Sequence, residues 1–424
     1  MKDLKIFLEK RSLKMICLGF SSGLPILLVF STLSVWLVKA GINRSTVTLF
    51  SWAGFAYAFK YLWSPLVDNY KLPILKNLGH RRSWLFLSQI LIIFALVLTA
   101  FTDPQYNLFF TALFITFLAF SSATQDILID ALRIESAPQS LQGPLSSMYI
   151  AGYRIAMLVA GAGSLWLAAY LGEEVYDQNV WKKVYLTMSF FMIIGIFATL
   201  VSNEPKVKRN LSSDNHIKFL FTIFLAVVGF IFLYSIINNP FAKEDNFLKF
   251  IFSFIRLVLC FVFAFLIIRL LTLTNFISKK KINHSYLTPI SNFLNRYGKF
   301  AFLILLLISL YRISDIVMGV MANIFYLEKG YKIAEIATFS KFFGVFATIF
   351  GGFIGGYCSY KFGTMKALFF GAFVAAISNL LFAWLAISPI SINFLITVIT
   401  ADNISSGFAG AAFVIYLSDL TSDR

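Results

Sequence analysis

Apolar runs of about 18 residues or more recur along this chain from Ile16 almost to its last residue, and each is long enough to cross a hydrocarbon layer as a helix. Inside lipid every backbone N–H and C=O must find a partner within the protein. Spans of this length satisfy that demand as helices. The expected fold class is therefore an all-α polytopic membrane protein. Charged residues make up 13% of the chain, against about 25% in a soluble domain. A reading of the length as two or three soluble domains is set aside on that ground. About twelve spans are expected, near 15–37, 46–66, 84–103, 106–130, 145–170, 184–201, 217–237, 248–272, 300–324, 335–358, 365–387 and 391–417.

The formal net charge is +16. The basic residues fall mostly in short loops, where they set orientation and meet anionic headgroups. Lys2, Lys5, Lys10, Arg11 and Lys14 precede the first span. Lys71, Lys76, Arg81 and Arg82 lie in 68–83, Lys206, Lys208, Arg209 and Lys218 in 202–218, and Lys279, Lys280, Lys281, Arg296 and Lys299 in 275–299. The alternate loops are poorer in basic residues and include Glu173, Glu174 and Asp177. This bias places both termini in the cytoplasm. No nucleic-acid-binding motif is readable, and the charge already has a membrane explanation. Cys17, Cys260 and Cys358 show no paired spacing, and His80, His216 and His284 are all expected in loops. Neither a disulfide framework, a metal site nor any cofactor is expected. The apolar run Ile16–Leu37 is too long for a signal peptide and reads as an uncleaved first helix.

Within this oily background, residues 117–135 read FLAFSSATQDILIDALRIE. A charge at the centre of a bilayer costs roughly 2.5–3.5 kcal/mol on insertion scales, so ionisable groups there default to function. Asp126 and Asp130 stand four apart and share one helical face, flanked by Gln125. They read as a proton or substrate site lining a cavity; the alternative is that Asp130, Arg133 and Glu135 cap the helix end. Lys60 and Arg154 also sit within spans, either as partners of the Asp126 face or as ligands for an anionic substrate. Arg312 and Asp315, three apart in the ninth span, are read as the second half's share of the same cavity, with a local pair as the alternative. Asp402 and Asn403 form a milder polar patch in the last span. Arg256 and Arg269 lie nearer their helix ends and read as snorkelling to the interface. No phosphate-binding loop of the GxxxxGK[ST] type occurs, and no nucleophile–base set lies in the spans, so neither ATP drive nor an enzyme is supported.

Residues 41–70 and 330–359 echo one another in hydropathy and position, each opening on Gly and carrying a Phe-Ser step. Parallel repeats of this kind build several transporter folds. The echo implies an N-terminal six-helix bundle at 1–201, an insertion at 202–299 holding two helices, and a second bundle at 300–424. That second bundle would hold four helices, two fewer than the first.

Several blocks resemble a known family. GFSSGLP (19–25), KYLWSPLVD (60–68), GHRRSW (79–84), SATQDILIDALRIE (122–135), YRISD (311–315) and NISSGFAGAAFVIYL (403–417) are similar to the AmpG family of muropeptide permeases, within the major facilitator superfamily. The likeness covers most of 15–420 and is weakest at 205–299. It implies a bacterial inner-membrane importer that carries anhydro-muropeptides inward with protons for peptidoglycan recycling, acting as a monomer. Lys60, Arg154 and Arg312 would meet cargo carboxylates. Gln125 and Ser21 or Ser22 would meet hydroxyls, with Asp402 and Asn403 adding polar contacts, and Asp126, Asp130 or Asp315 would take the coupled proton. Two other readings stay open at this point: another anionic, acyl-CoA-like cargo on the same fold, and a degenerate non-transporting paralogue.

Overall fold

The structure is a computed structural model, and it describes residues 7, 9–70, 72, 75–172, 176–205, 207, 216–237, 246–274, 288–311, 322, 325–326, 329–331, 335, 339 and 343–421. Each of the twelve expected spans holds helix where it is described. Helices α1 (Lys10–Val29) and α2 (Ser31–Lys39) form the first span, broken at Phe30. The second is a run of short helical pieces from Arg44 to Asn69, interrupted by tight turns at Phe50–Ala53 and Lys60–Leu62. Then come α3 (His80–Ala100), α4 (Leu108–Ser136) and α5 (Gln142–Leu158). A wide turn at Val159–Gly163 leads from α5 into α6 (Ser164–Tyr170), followed by α7 (Gln178–Phe191) and α8 (Ile193–Val201). The remainder comprises α9 (His216–Ile236), α10 (Asn246–Leu273), α11 (Thr288–Tyr297), α12 (Phe300–Tyr311), α13 (Gly344–Phe362), α14 (Thr364–Ile387) and α15 (Ile392–Thr421). No strand occurs among the described residues.

Among those residues, eight helices are long and apolar enough to cross a membrane, or nine if one bent pair counts as a single span. The difference from twelve has local causes. No piece of the broken second span reaches full length. Gly351, Gly352, Gly355 and Gly356 dilute the hydropathy of α13. The seventh span is represented by a shorter apolar helix, Phe224–Tyr234, and the ninth by the bent pair Ser291–Tyr297 and Phe300–Tyr311.

The described chain forms two compact units, one of Met1–Lys60, Leu72–Val207 and Ser309–Arg424, the other of Tyr61–Lys71 and Lys208–Ile308. In the first, α1 lies along α5 and α13 along α15 at backbone contact. A methyl group at Gly19 would overlap the Tyr149 carbonyl, one at Gly23 the Tyr153 carbonyl, and one at Gly152 the Ile16 carbonyl. The α13–α15 crossing repeats the device with Gly351, Gly355 and Gly407. Apolar surface gains nothing by leaving lipid, so helices associate through close packing and interhelical hydrogen bonds, and small residues allow both. At the break between α1 and α2, Tyr185 Oη donates to the Leu28 carbonyl at 2.9 Å, and Thr32 Oγ1 donates to the Ala160 carbonyl in the wide turn at 2.7 Å. Trp36 stacks on Trp181 with ring centres 5.7 Å apart, closing the core beside that break.

In the second unit α9 and α10 pack on each other. Phe230 meets Phe261 edge-on at 5.1 Å. The Arg256 guanidinium covers the Tyr234 ring at 3.7 Å and donates to the Tyr234 carbonyl. An aromatic face and a carbonyl on the adjacent helix both attract a guanidinium.

Candidate functional site

The α1–α5 glycine contact sets the geometry of the polar centre. Gly19 and Gly23 flank Ser22, and their missing side chains let α5 approach until Tyr149 reaches Ser22. The Tyr149 and Ser22 hydroxyls are 2.8 Å apart. From its other side Ser22 meets α4, where its Oγ donates to Asp126 Oδ1 at 2.5 Å. Lys60 closes the set: its Nζ lies 3.9 Å from Asp126 Oδ2, with its side chain 34% exposed against 12% for Asp126. Lys60 sits in a tight turn between helical pieces, which directs its stem at α4 without a regular helix behind it. Sequence reasoning thus placed Asp126, Lys60 and Ser22 in the candidate site, and the fold brings all three together. Arg154 is not the partner of Asp126. It is half-buried on α5, with a guanidinium nitrogen 3.9 Å from Met157 Sδ.

Gln125 is fully buried, and neither its amide nitrogen nor its oxygen has a hydrogen-bond partner. A buried polar atom left unsatisfied costs about 1–3 kcal/mol. Ser122, one turn earlier on α4, is likewise buried, with its hydroxyl beside that of Tyr57. Beside the carboxylate, α4 therefore holds an amide with hydrogen-bonding capacity to spare.

Asp130 belongs to a different cluster. Its side chain is 43% exposed and pairs with Arg133 at 3.3 Å. Arg133 is the residue that the sequence undervalued by treating it as a helix-end cap. It is buried, and one guanidinium nitrogen donates to Ser146 Oγ on α5 at 2.7 Å, Gln142 Oε1 at 3.3 Å and Ser418 Oγ on α15 at 3.1 Å. A single side chain thus ties three helices. Its signal was present in the i, i+3 spacing to Asp130; the contact with a residue 285 positions away was not readable. Beside it Ser147 Oγ donates to the Gly352 carbonyl at 2.8 Å, joining α5 to α13. At the same end Arg81 forms a two-point pair with Glu135 at 2.8 and 3.2 Å. Glu204 accepts the Arg81 and Arg82 amides at 2.9 and 3.1 Å, capping the start of α3.

The remaining candidates divide. The Ser21 hydroxyl is spent on the Leu18 carbonyl at 2.8 Å, and its side chain faces Gly195 rather than Asp126. Asn403 bridges α15 to α13, accepting from Thr348 Oγ1 at 2.9 Å and donating to the Ile399 carbonyl at 2.8 Å. Asp402 is half-buried beside it. Arg312 and Asp315 lie outside the described residues. A cavity of about 570 Å³ is lined by Gln139, Gly143, Ser359, Tyr360, Lys366 and Asp419 among others, at the Arg133 end of the helices and away from Asp126. No group of three or more metal-ligating side chains occurs among the described residues.

Compared with known proteins, the chain matches the Major Facilitator Superfamily over residues 15–424. It is 31% identical over 424 residues to a Rickettsia conorii protein with the transporter name AmpG 4, covering all of this chain and 86% of that one. It is 29% identical over 419 residues to the anhydromuropeptide permease of Escherichia coli K12, covering 98% of this chain and 69% of the permease. Among solved structures, the proton:xylose symporter XylE bound to 6-bromo-6-deoxy-D-glucose aligns with a TM-score of 0.56 at 13% identity, over 98% of this chain and 82% of the symporter chain. That last likeness speaks to fold alone.

Proposed function

We propose a specific cargo and driving force for this chain, which belongs to the major facilitator superfamily and, within it, to the AmpG-type transporters. It is a multi-pass membrane transporter of a small molecule. The cargo is an anhydro-muropeptide, moved from periplasm to cytoplasm across a bacterial inner membrane with protons, for peptidoglycan recycling. Both termini are cytoplasmic, the chain acts as a monomer, and bundles at 1–201 and 300–424 rock about the site, with 202–299 as an insertion.

One observation carries this reading: Asp126 is buried in an apolar bundle with a hydroxyl donor on one oxygen and a partly exposed lysine near the other. A carboxylate maintained in that setting accepts a proton and loses its attraction for Lys60, which is then released to an anionic cargo. Muropeptides carry carboxylates and many hydroxyl and amide groups. Lys60 and Arg154 suit the carboxylates, and the unpartnered amide of Gln125 suits a hydroxyl or peptide group. Asp130, Asp315, Arg312 and Asp402 are assigned supporting roles. Ser22 acts through Asp126, while Ser21 and Asn403 are given to helix contacts.

The test is uptake into proteoliposomes. Radiolabelled anhydro-muropeptide is expected to accumulate when an inward proton gradient is imposed and not when the gradient is collapsed. Accumulation of a different anionic metabolite, with no accumulation or exchange of muropeptide, would refute the cargo.

A further inference from the structure

Ser22 gives Asp126 its hydrogen bond, and Ser22 is itself tied to a third group. Its Oγ lies 2.5 Å from Asp126 Oδ1 and 2.8 Å from the Tyr149 hydroxyl. A hydroxyl has one hydrogen and two lone pairs, whereas an ionised carboxylate only accepts. While Asp126 is ionised, the Ser22 hydrogen is committed to it. The second contact must then use the Tyr149 hydrogen. The chain therefore runs one way, from Tyr149 on α5 through Ser22 on α1 to Asp126 on α4. Ser22 is 1% exposed and Asp126 9%, while Tyr149 is the more exposed end of the three. The titratable groups around it are Lys60 and Tyr57 from the broken second span, Asp130 on α4, and Tyr153 and Arg154 on α5.

We propose that Tyr149 and Ser22 form the relay that delivers the coupled proton to Asp126 and reports its arrival to the cargo. This rests on the reading of the chain as a proton-driven permease. A proton reaching the Tyr149 oxygen forms a new O–H bond there. The original Tyr149 hydrogen passes to Ser22, and the original Ser22 hydrogen passes to Asp126 Oδ1. Three O–H bonds form and two break, and the net change is one proton gained and one carboxylate neutralised. The chain is then reversed, with Asp126 donating to Ser22 and Ser22 to Tyr149. The Tyr149 hydrogen now points away from Ser22 and is offered to an acceptor such as a cargo carboxylate or carbonyl. Before the transfer Tyr149 offers only lone pairs. Rotation of the hydroxyls restores the first polarity once the proton has left. Tyr149 and Ser22 are positioning residues by this argument, since they act through Asp126.

The relay is tested by separating proton-driven accumulation from exchange. Proteoliposomes are assayed with radiolabelled anhydro-muropeptide for accumulation under an imposed proton gradient and for counterflow at equal pH. Ser22→Ala and Tyr149→Phe are each expected to lower accumulation about a hundredfold, the low end of what a positioned proton-transfer group contributes. Counterflow, which needs no net proton entry, should fall much less than accumulation, so that the ratio of accumulation to counterflow drops, and Ser22→Thr, which restores the hydroxyl, should recover that ratio. Normal accumulation by Ser22→Ala and Tyr149→Phe overturns the relay and leaves the permease reading standing. Parallel loss of accumulation and counterflow, unrelieved by Ser22→Thr, assigns Ser22 to packing and also overturns it. Absence of both activities in the unsubstituted protein removes the permease reading itself and the relay with it.

Discussion

Ser418→Ala tests whether the contact between α4 and α15 holds one end of the bundle shut. The Ser418 hydroxyl donates to the Val414 carbonyl at 2.8 Å, so its lone pair is what accepts from Arg133 at 3.1 Å. Substitution by alanine removes that acceptor and leaves Arg133 with Asp130, Ser146 and Gln142. The guanidinium is therefore not orphaned, and the loss approximates the net worth of one hydrogen bond. A bond to a charged group contributes about 1.5–3 kcal/mol in water-soluble proteins, and interhelical bonds within membranes average about 0.6 with a maximum near 1.7. A value of about 1–2 kcal/mol follows, which shifts the ratio of closed to open molecules by about 5- to 30-fold. On the proposed orientation, with both termini cytoplasmic, this is the cytoplasmic end. The assay is a pulsed electron-spin distance measurement between labels at the exposed positions Gln139 and Lys361, with Cys17, Cys260 and Cys358 replaced. Ser418→Ala should transfer population to a longer distance, and Ser418→Thr should not. An unchanged distribution for Ser418→Ala would refute the latch and reduce Arg133 to a packing role within its own half.

Three further outcomes are expected. Asp126→Asn should reduce gradient-driven accumulation to background while leaving the melting temperature in detergent unchanged; accumulation at the unsubstituted level removes Asp126 from the coupling. Gly23→Ala forces a methyl into the Tyr153 backbone and should cost about 1–3 kcal/mol as overpacking, read as a lower thermal midpoint. Tyr176, in the loop between α6 and α7, donates to Asp103 at 2.8 Å. Burial and then that hydrogen bond hold its phenol above the usual tyrosine range. A group raised on folding contributes stability that is complete below its unfolded pKa of about 10 and is lost as pH rises through the folded value. The stability difference between the unsubstituted protein and Tyr176→Phe should therefore be flat from about pH 6 to 9 and shrink above about pH 10; a slope within the neutral range would contradict this.

Much of the candidate site was legible because lipid makes charge conspicuous. Asp126 stood out against apolar neighbours, and the family blocks around it were readable as strings. Its partners were harder to separate. Lys60 and Arg154 are both cations within spans, and nothing in the sequence ranks one above the other. The broken backbone at Lys60–Leu62 aims Lys60 at α4, while the register of α5 carries Arg154 toward Met157. Ser21 and Ser22 are adjacent and chemically identical. A helix turns about 100° per residue, so one hydroxyl faces Asp126 and the other turns back to its own helix at Leu18.

The sequence by itself determined that this chain would be a helical membrane bundle, where its spans would lie and that α4 would carry a buried carboxylate. Those properties depend on run length and on the cost of charge in hydrocarbon, both of which are local. Only the tertiary structure decided that Tyr149 meets Ser22, that Arg133 reaches Ser418, and that glycines bring α1 against α5 and α13 against α15. Each of these depends on which helix faces which, and lipid-exposed apolar residues look the same as buried ones when read along the chain.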